Sequence, residues 1–175
     1  ESVDDPDPEV SRQAGISLGK LKDNGSIQAL VSRSSTFTCI IPKPQTTARI
    51  LALAQMGTMV INPIMKSIEN SPDIALSRLY DVREYRCRPE TIAFFDDRVQ
   101  VLLGLGPEVI DIVGQQYESI KKSWYACGVR LVIVQYLAQI ANPRTQRYLC
   151  QATTDDRVSI RWFAVEGLEK LPLIP

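Results

Sequence analysis

Asp4 to Leu30 reads D-D-P-D-P-E-V-S-R-Q-A-G-I-S-L-G-K-L-K-D-N-G-S-I-Q-A-L, and this stretch decides the fold class. Pro8 stands where a helix can begin, because its fixed φ and missing N–H cost nothing in the first turn. Val10, Ala14, Leu18 and Leu21 then recur at helical spacing and predict one apolar face. Asp23-Asn24-Gly25 supplies turn residues that close this helix and start a second. Ile27, Leu30 and Val31 give the second helix its own apolar face. Two short amphipathic helices cannot bury their faces alone, so the unit needs neighbours stacked beside it.

The same half-pattern returns along the chain. Leu53 to Ile64 reads L-A-Q-M-G-T-M-V-I-N-P-I and Leu102 to Val113 reads L-L-G-L-G-P-E-V-I-D-I-V. Leu137 to Leu149 is a looser copy through Ile140-Ala141-Asn142-Pro143. Asp155 to Leu171, D-D-R-V-S-I-R-W-F-A-V-E-G-L-E-K-L, repeats the opening of the first unit. Each of the internal copies has the end of an apolar helix, a turn bearing Gly or Asn, and a new helix start. A fixed repeat of this kind predicts an all-α chain of about four helix pairs plus a terminal helix, spanning 1–175 as a single domain.

These residues carry a resemblance. D-D-P-D-P-E-V-x-x-Q-A-x-x-x-L-G-K-L-K-D-x-x-x-I-Q-A-L resembles a HEAT repeat of the short subclass called PBS-lyase-like (E-Z type), and the Asp155–Leu171 segment resembles its first half. The resemblance implies an α-α superhelix, a HEAT-like solenoid. In this family an Arg near the start of the first helix commonly pairs with a loop Asp of the adjacent repeat. Arg161 matches that position, whereas Ser11 occupies it in the first unit. Relatives of the subclass include subunits of lyases that attach or remove bilin chromophores, so the resemblance allows a subunit that holds a tetrapyrrole and its acceptor protein. No residue of this chain picks out a bilin pocket.

Two connectors depart from the repeat: the segment 34–44, which carries Pro42 and Pro44, and the segment 71–89, which carries Arg78, Arg83, Arg86 and Arg88 with Tyr80 and Tyr85. Insertions in a repeat protein emerge on one face, often the binding face, so Arg83, Tyr85 and Arg86 are candidates for touching a partner. The opening residues Glu1 to Asp5 read as the tail of a preceding second helix. A piece of a longer solenoid, or packing against another chain or domain, is therefore expected.

Composition narrows the function. Hydrophobic residues make up 45% and charged residues 23%, the balance of a folded chain. Lys+Arg and Asp+Glu number 20 each, so the net charge is zero. A nucleic-acid binder draws most of its affinity from phosphate contacts and normally shows a basic excess, so only weak nucleic-acid binding through a local patch is left open. There is no histidine, which removes the commonest general base and the Ser-His and Cys-His nucleophile arrangements. Cys39, Cys87, Cys127 and Cys150 lie far apart without a C-x-x-C pair, which argues against zinc and for reduced, mostly buried thiols in a cytoplasmic protein. No phosphate loop, nucleotide fingerprint or nucleophile elbow occurs. Asp96-Asp97 and Asp155-Asp156 are paired carboxylates best read as helix-start residues favoured by the macrodipole. No segment reaches the roughly 18 apolar residues of a membrane span; Val129 to Ala141, broken by Arg130, Gln135 and Gln139, reads as a core helix. No catalytic activity, metal or cofactor is expected.

What remains is a surface. Aligning the second helices on Leu30, Ile64, Val113 and Leu149 puts Gln28, Asn62, Asp111 and Arg147 in one exposed row. Ser32, Lys66, Gln115 and Gln151 fall in the next. The rows are polar and mixed in sign, without an aromatic stripe, and suit hydrogen bonding to a peptide or folded protein. Trp124-Tyr125 and Trp162-Phe163 add aromatic pairs in which one member of each is expected to be partly exposed. The expected function is a non-catalytic protein-binding scaffold.

Overall fold

The computed structural model describes residues 2–32, 44–69, 97–120 and 126–172. Every regular element among them is helical. The α-helices are α1 (Pro8–Leu21), α2 (Asn24–Val31), α3 (Pro44–Gln55), α4 (Ile61–Glu69), α5 (Asp97–Leu105), α6 (Ile110–Ser119), α7 (Cys127–Gln139), α8 (Gln146–Ala152) and α9 (Val158–Glu169). Short 3-10 turns at Ser2–Asp4, Gly57–Val60, Pro107–Val109 and Pro143–Thr145 lead into helices. The chain divides into two compact units, the first comprising Glu1–Ser67 and Ile92–Leu105, the second Ile68–Thr91 and Gly106–Pro175. The irregular connector 71–89 lies outside the described residues, as does 34–44 apart from Pro44, which opens α3.

The start of the first unit follows its sequence closely. Asp7 has extended backbone and accepts hydrogen bonds from the N–H groups of Glu9 (2.8 Å) and Val10 (3.3 Å), with Pro8 opening α1. This is the usual satisfaction of the orphan donors at a helix start. α1 ends as Lys22 turns left-handed at φ 51°, and Asp23 then caps α2 by accepting from Ser26 N–H at 2.9 Å. Ile27, Leu30 and Val31 are buried, as their spacing requires.

The predicted inner face of α1 is corrected. Val10 is 44% and Leu21 66% exposed, and Ala14 and Leu18 are only half-buried. The buried stripe is Ser11, Gly15 and Gly19, about 100° round the helix from the apolar one. Its neighbour is α3. A Cβ added to Gly15 would lie 2.6 Å from the carbonyl oxygen of Ala48, and one added to Gly19 would lie 3.2 Å from that of Ala52. Four residues along α1 thus match four along α3, so the two helices run parallel, with backbones close enough that only small residues fit. Ser11 meets the resulting burial by donating its hydroxyl to the Val3 carbonyl at 2.7 Å. α3 in turn packs on α5, whose Val99, Val101 and Leu102 are buried.

In the second unit α7 is the core helix that its apolar run predicts. Cys127 and every residue from Val129 to Ala138 are buried. A helix apolar nearly all round has to be enclosed on most sides. α7 is flanked by α6, α8 and α9. Gly167 near the end of α9 sits against Ala138 near the end of α7, where an added Cβ would lie 2.7 Å from Ala138 Cα. At the other end Arg130 of α7 reaches Asp155 and Asp156, just before α9. These two helices are therefore parallel as well.

That second contact is a buried ion pair. Arg130 Nη1 lies 2.5 Å from Asp155 Oδ2 and 2.9 Å from Asp156 Oδ1, with the Arg130 and Asp155 side chains almost wholly removed from solvent. Tyr117 of α6 donates its hydroxyl to the same Asp155 oxygen at 2.9 Å. Burial, reinforced by the neighbouring Asp155, pushes the Tyr117 hydroxyl well above the usual tyrosine range. Asp155 Oδ1 accepts from Arg157 N–H at 3.0 Å. One carboxylate thus ties α6, α7 and the start of α9 together. Asp155 thus keeps a helix-start role through the Arg157 N–H, and Asp155 and Asp156 also converge on one guanidinium. Arg161 has a different role from the one its motif implies: it donates to the backbone carbonyls of Asp155 (2.7 Å) and Asp156 (3.1 Å) in the loop before its own helix. The arginine that reaches the loop acid of the next helix pair is Arg130.

Candidate functional site

The exposed row predicted on the second helices falls in both units. Gln28 on α2 and Asn62 and Lys66 on α4 are exposed in the first unit. Gln115 on α6 and Arg147 and Gln151 on α8 are exposed in the second, where Asp111 is partly exposed. Arg83, Tyr85 and Arg86 lie outside the described residues, as do Trp124 and Tyr125. Trp162 is exposed and its neighbour Phe163 half-buried, their rings meeting edge-on with centroids 4.7 Å apart. Cys127 is buried and Cys150 exposed, both as free thiols.

Of these candidates the structure joins Asp111 and Arg147, and it adds two residues that the row did not contain. α6 presents Asp111 in its first turn, and α8 presents Arg147 and Tyr148. The Tyr148 ring can lie on α6 because Gly114 has no side chain; a Cβ there would overlap the ring. The side chain is buried, and its hydroxyl donates to Asp111 Oδ1 at 3.1 Å. Arg147 stacks its guanidinium on that ring, 4.4 Å from the centroid, donates to the Tyr148 hydroxyl, and lies 3.1 Å from Asp111 Oδ1. Stacking on a π face holds a cation in one orientation.

Arg144 completes the group. Asn142 has extended backbone and accepts from Arg144 N–H at 3.0 Å, starting the 3-10 turn Pro143–Thr145 that leads into α8. From there Arg144 donates to Asp111 Oδ2 and, through Nη1, to the Pro107 carbonyl at 3.3 Å. The Arg144 hydrogen bond is the main cause holding the Asp111 carboxyl below its usual range, with Tyr148 adding to it. Two guanidiniums thus share one carboxylate, and Glu118 also lies within electrostatic reach of Arg147. All three ionic side chains are 40% or more exposed, so the cluster adds little stability. The Arg144 and Arg147 side chains remain 51% and 61% exposed. Arg144 could have been read from the sequence: it stands three residues before Arg147, on the same side of the turn. Tyr148 could not, because an aromatic beside a charged residue carries no sign of which way its hydroxyl points.

Among the described residues no group of three or more His, Cys, Asp or Glu side chains is placed to hold a metal ion. No helix among them is long and apolar enough to cross a membrane. Neither family models nor curated proteins give a match to this chain.

Proposed function

We propose that this chain is a non-catalytic protein-binding scaffold, built as a HEAT-like solenoid, and that the α6–α8 surface is its partner-binding face. The observation that carries this reading is the Asp111–Arg144–Arg147–Tyr148 cluster. Its two arginines are exposed and are oriented by a buried aromatic ring and a shared carboxylate. Guanidinium groups held in this way suit a carboxylate on a partner protein, which they engage through paired N–H donors. Gln115 and Gln151 beside them add amide donors and acceptors, the chemistry of a protein interface rim. The repeat resemblance, the paired order of the helices and the parallel packing of alternate ones support the solenoid.

The test uses the chain as bait in a lysate of its native host, with mass spectrometry of the eluate. The reading expects a captured protein that is lost with Arg144→Glu/Arg147→Glu and retained with a control substitution at the exposed Met59, Met59→Gln. Equal capture by the charge-reversed bait would overturn the assignment of this face.

A further inference from the structure

The Asp111 carboxylate is the acceptor around which the α6–α8 cluster is arranged, yet neither arginine depends on it alone. Arg144 donates to Asp111 Oδ2 and also, through Nη1, to the Pro107 carbonyl at 3.3 Å. Arg147 reaches Asp111 Oδ1 at 3.1 Å, and it also donates to the Tyr148 hydroxyl and stacks on the Tyr148 ring. That ring is fixed without help from the carboxylate, because it is buried in the space that Gly114 leaves on α6. Taking Asp111 away would therefore leave both guanidiniums anchored, with the Tyr148 hydroxyl able to donate to another acceptor.

The carboxylate is also open to replacement. Asp111 is partly exposed, and the two arginines that hold it are more exposed still. Ion pairs this close to solvent are weak, since both partners are well hydrated when apart, so exchanging one carboxylate for another costs little.

Charge decides how a second carboxylate can enter. Asp111 and Glu118 set two negative charges against the two guanidiniums. Glu108, which like Arg144 lies within electrostatic reach of Tyr136, adds a third acid nearby. A carboxylate added beside Asp111 would meet repulsion. One that takes its place would not.

We propose that Asp111 holds, in the free chain, the place of a carboxylate supplied by an acidic segment of a partner protein, and yields the arginines when that segment binds. The incoming Asp or Glu side chain accepts from Arg144, Arg147 and the Tyr148 hydroxyl, the three donors that otherwise serve Asp111. Asp111 thereby sets a threshold. A lone carboxylate gains no more than it displaces, whereas a segment that also meets the exposed Gln115 and Gln151 gains the difference. The inference rests on the α6–α8 surface being the partner-binding face, and it names the residue that competes for that face.

The test is fluorescence anisotropy of a labelled hexaglutamate peptide titrated with the full chain at fixed salt. Asp111→Asn keeps the shape of the side chain and removes its charge. Glu118→Gln removes an equal charge seven residues further along α6, and so measures the long-range effect. Asp111→Asn is expected to bind about fivefold more tightly than the wild type, the contribution of one exposed ion pair, and Glu118→Gln less than about twofold more tightly. Should Asp111→Asn lose far-UV helical signal, Asp111→Ser replaces it. A variant at Asp111 that binds no more tightly than Glu118→Gln, or does not bind at all, would overturn the proposal, since Asp111 would then only position the arginines. Adding Arg144→Glu/Arg147→Glu to Asp111→Asn is expected to abolish binding. Binding that survives those reversals would overturn both the proposal and the α6–α8 reading beneath it.

Discussion

The contact of α1 with α3 and that of α7 with α9 solve one problem with opposite chemistry. In both, parallel helices are brought together. At the α1–α3 contact the key register position is Ser11, which is satisfied by the Val3 carbonyl at 2.7 Å, and the helices close on glycines. At the α7–α9 contact the same position is Arg130, and the helices are joined by a buried ion pair to Asp155 with Tyr117 as a third member. The small-residue joint draws on close backbone packing, with Arg49 of α3 reaching Asp4 at 3.4 Å beside it. The ionic joint carries a large desolvation cost that is offset only while all its partners are present. The first is therefore expected to respond to volume, the second to charge.

Substitutions at the two joints should separate these modes. Asp155→Ala leaves Arg130 buried with only the partly exposed Asp156, and urea denaturation should show a loss of about 3–5 kcal/mol. Ser11→Arg puts a cation into a space sized for a hydroxyl, so a loss of about 3 kcal/mol or more is expected. Gly15→Ala drives a Cβ against the Ala48 carbonyl; overpacking of about 1–3 kcal/mol should exceed the roughly 0.5–1 kcal/mol of improved helix propensity, so the thermal midpoint falls. Ser11→Ala removes a single buried hydrogen bond and should cost about 1 kcal/mol, with fold and helical signal unchanged.

The smallest effect concerns acid. Asp156, next to Asp155 and accepting from Arg130 at 2.9 Å, is held down at about 2 from an ordinary 3.8. A carboxyl lowered in the folded state stabilises fully above its unfolded value and loses that contribution as pH falls through its folded value. Part of the stability is thus expected to disappear between pH 3.8 and about 2. Denaturation midpoints across that window should fall less steeply for Asp156→Asn than for the wild type.

Helix order, helix starts and the buried α7 were legible from residue type and spacing, because Pro8, the capping acids and an unbroken apolar run act locally. The face of α1 was not. A count of apolar residues selects Val10, Ala14, Leu18 and Leu21, whereas a close helix–helix approach selects small ones, and Gly15 and Gly19 give no hydropathy signal. Arg130 was read as an interruption of an apolar helix, since nothing local shows that Asp155, twenty-five residues on, will reach it. Asp111 and Arg147 were legible as neighbours by repeat alignment. Their partner Tyr148 depended on Gly114, thirty-four residues earlier, which leaves the space for its ring.

The central claim is that Arg130 and Asp155 form the joint between α7 and α9, and a double-mutant cycle tests it most directly. Arg130→Met, Asp155→Leu and the double variant would be unfolded in urea beside the wild type. The account predicts a coupling of about 2–3 kcal/mol, the double variant being far more stable than the sum of single losses allows. Additive losses, agreeing within about 0.5 kcal/mol, would contradict it.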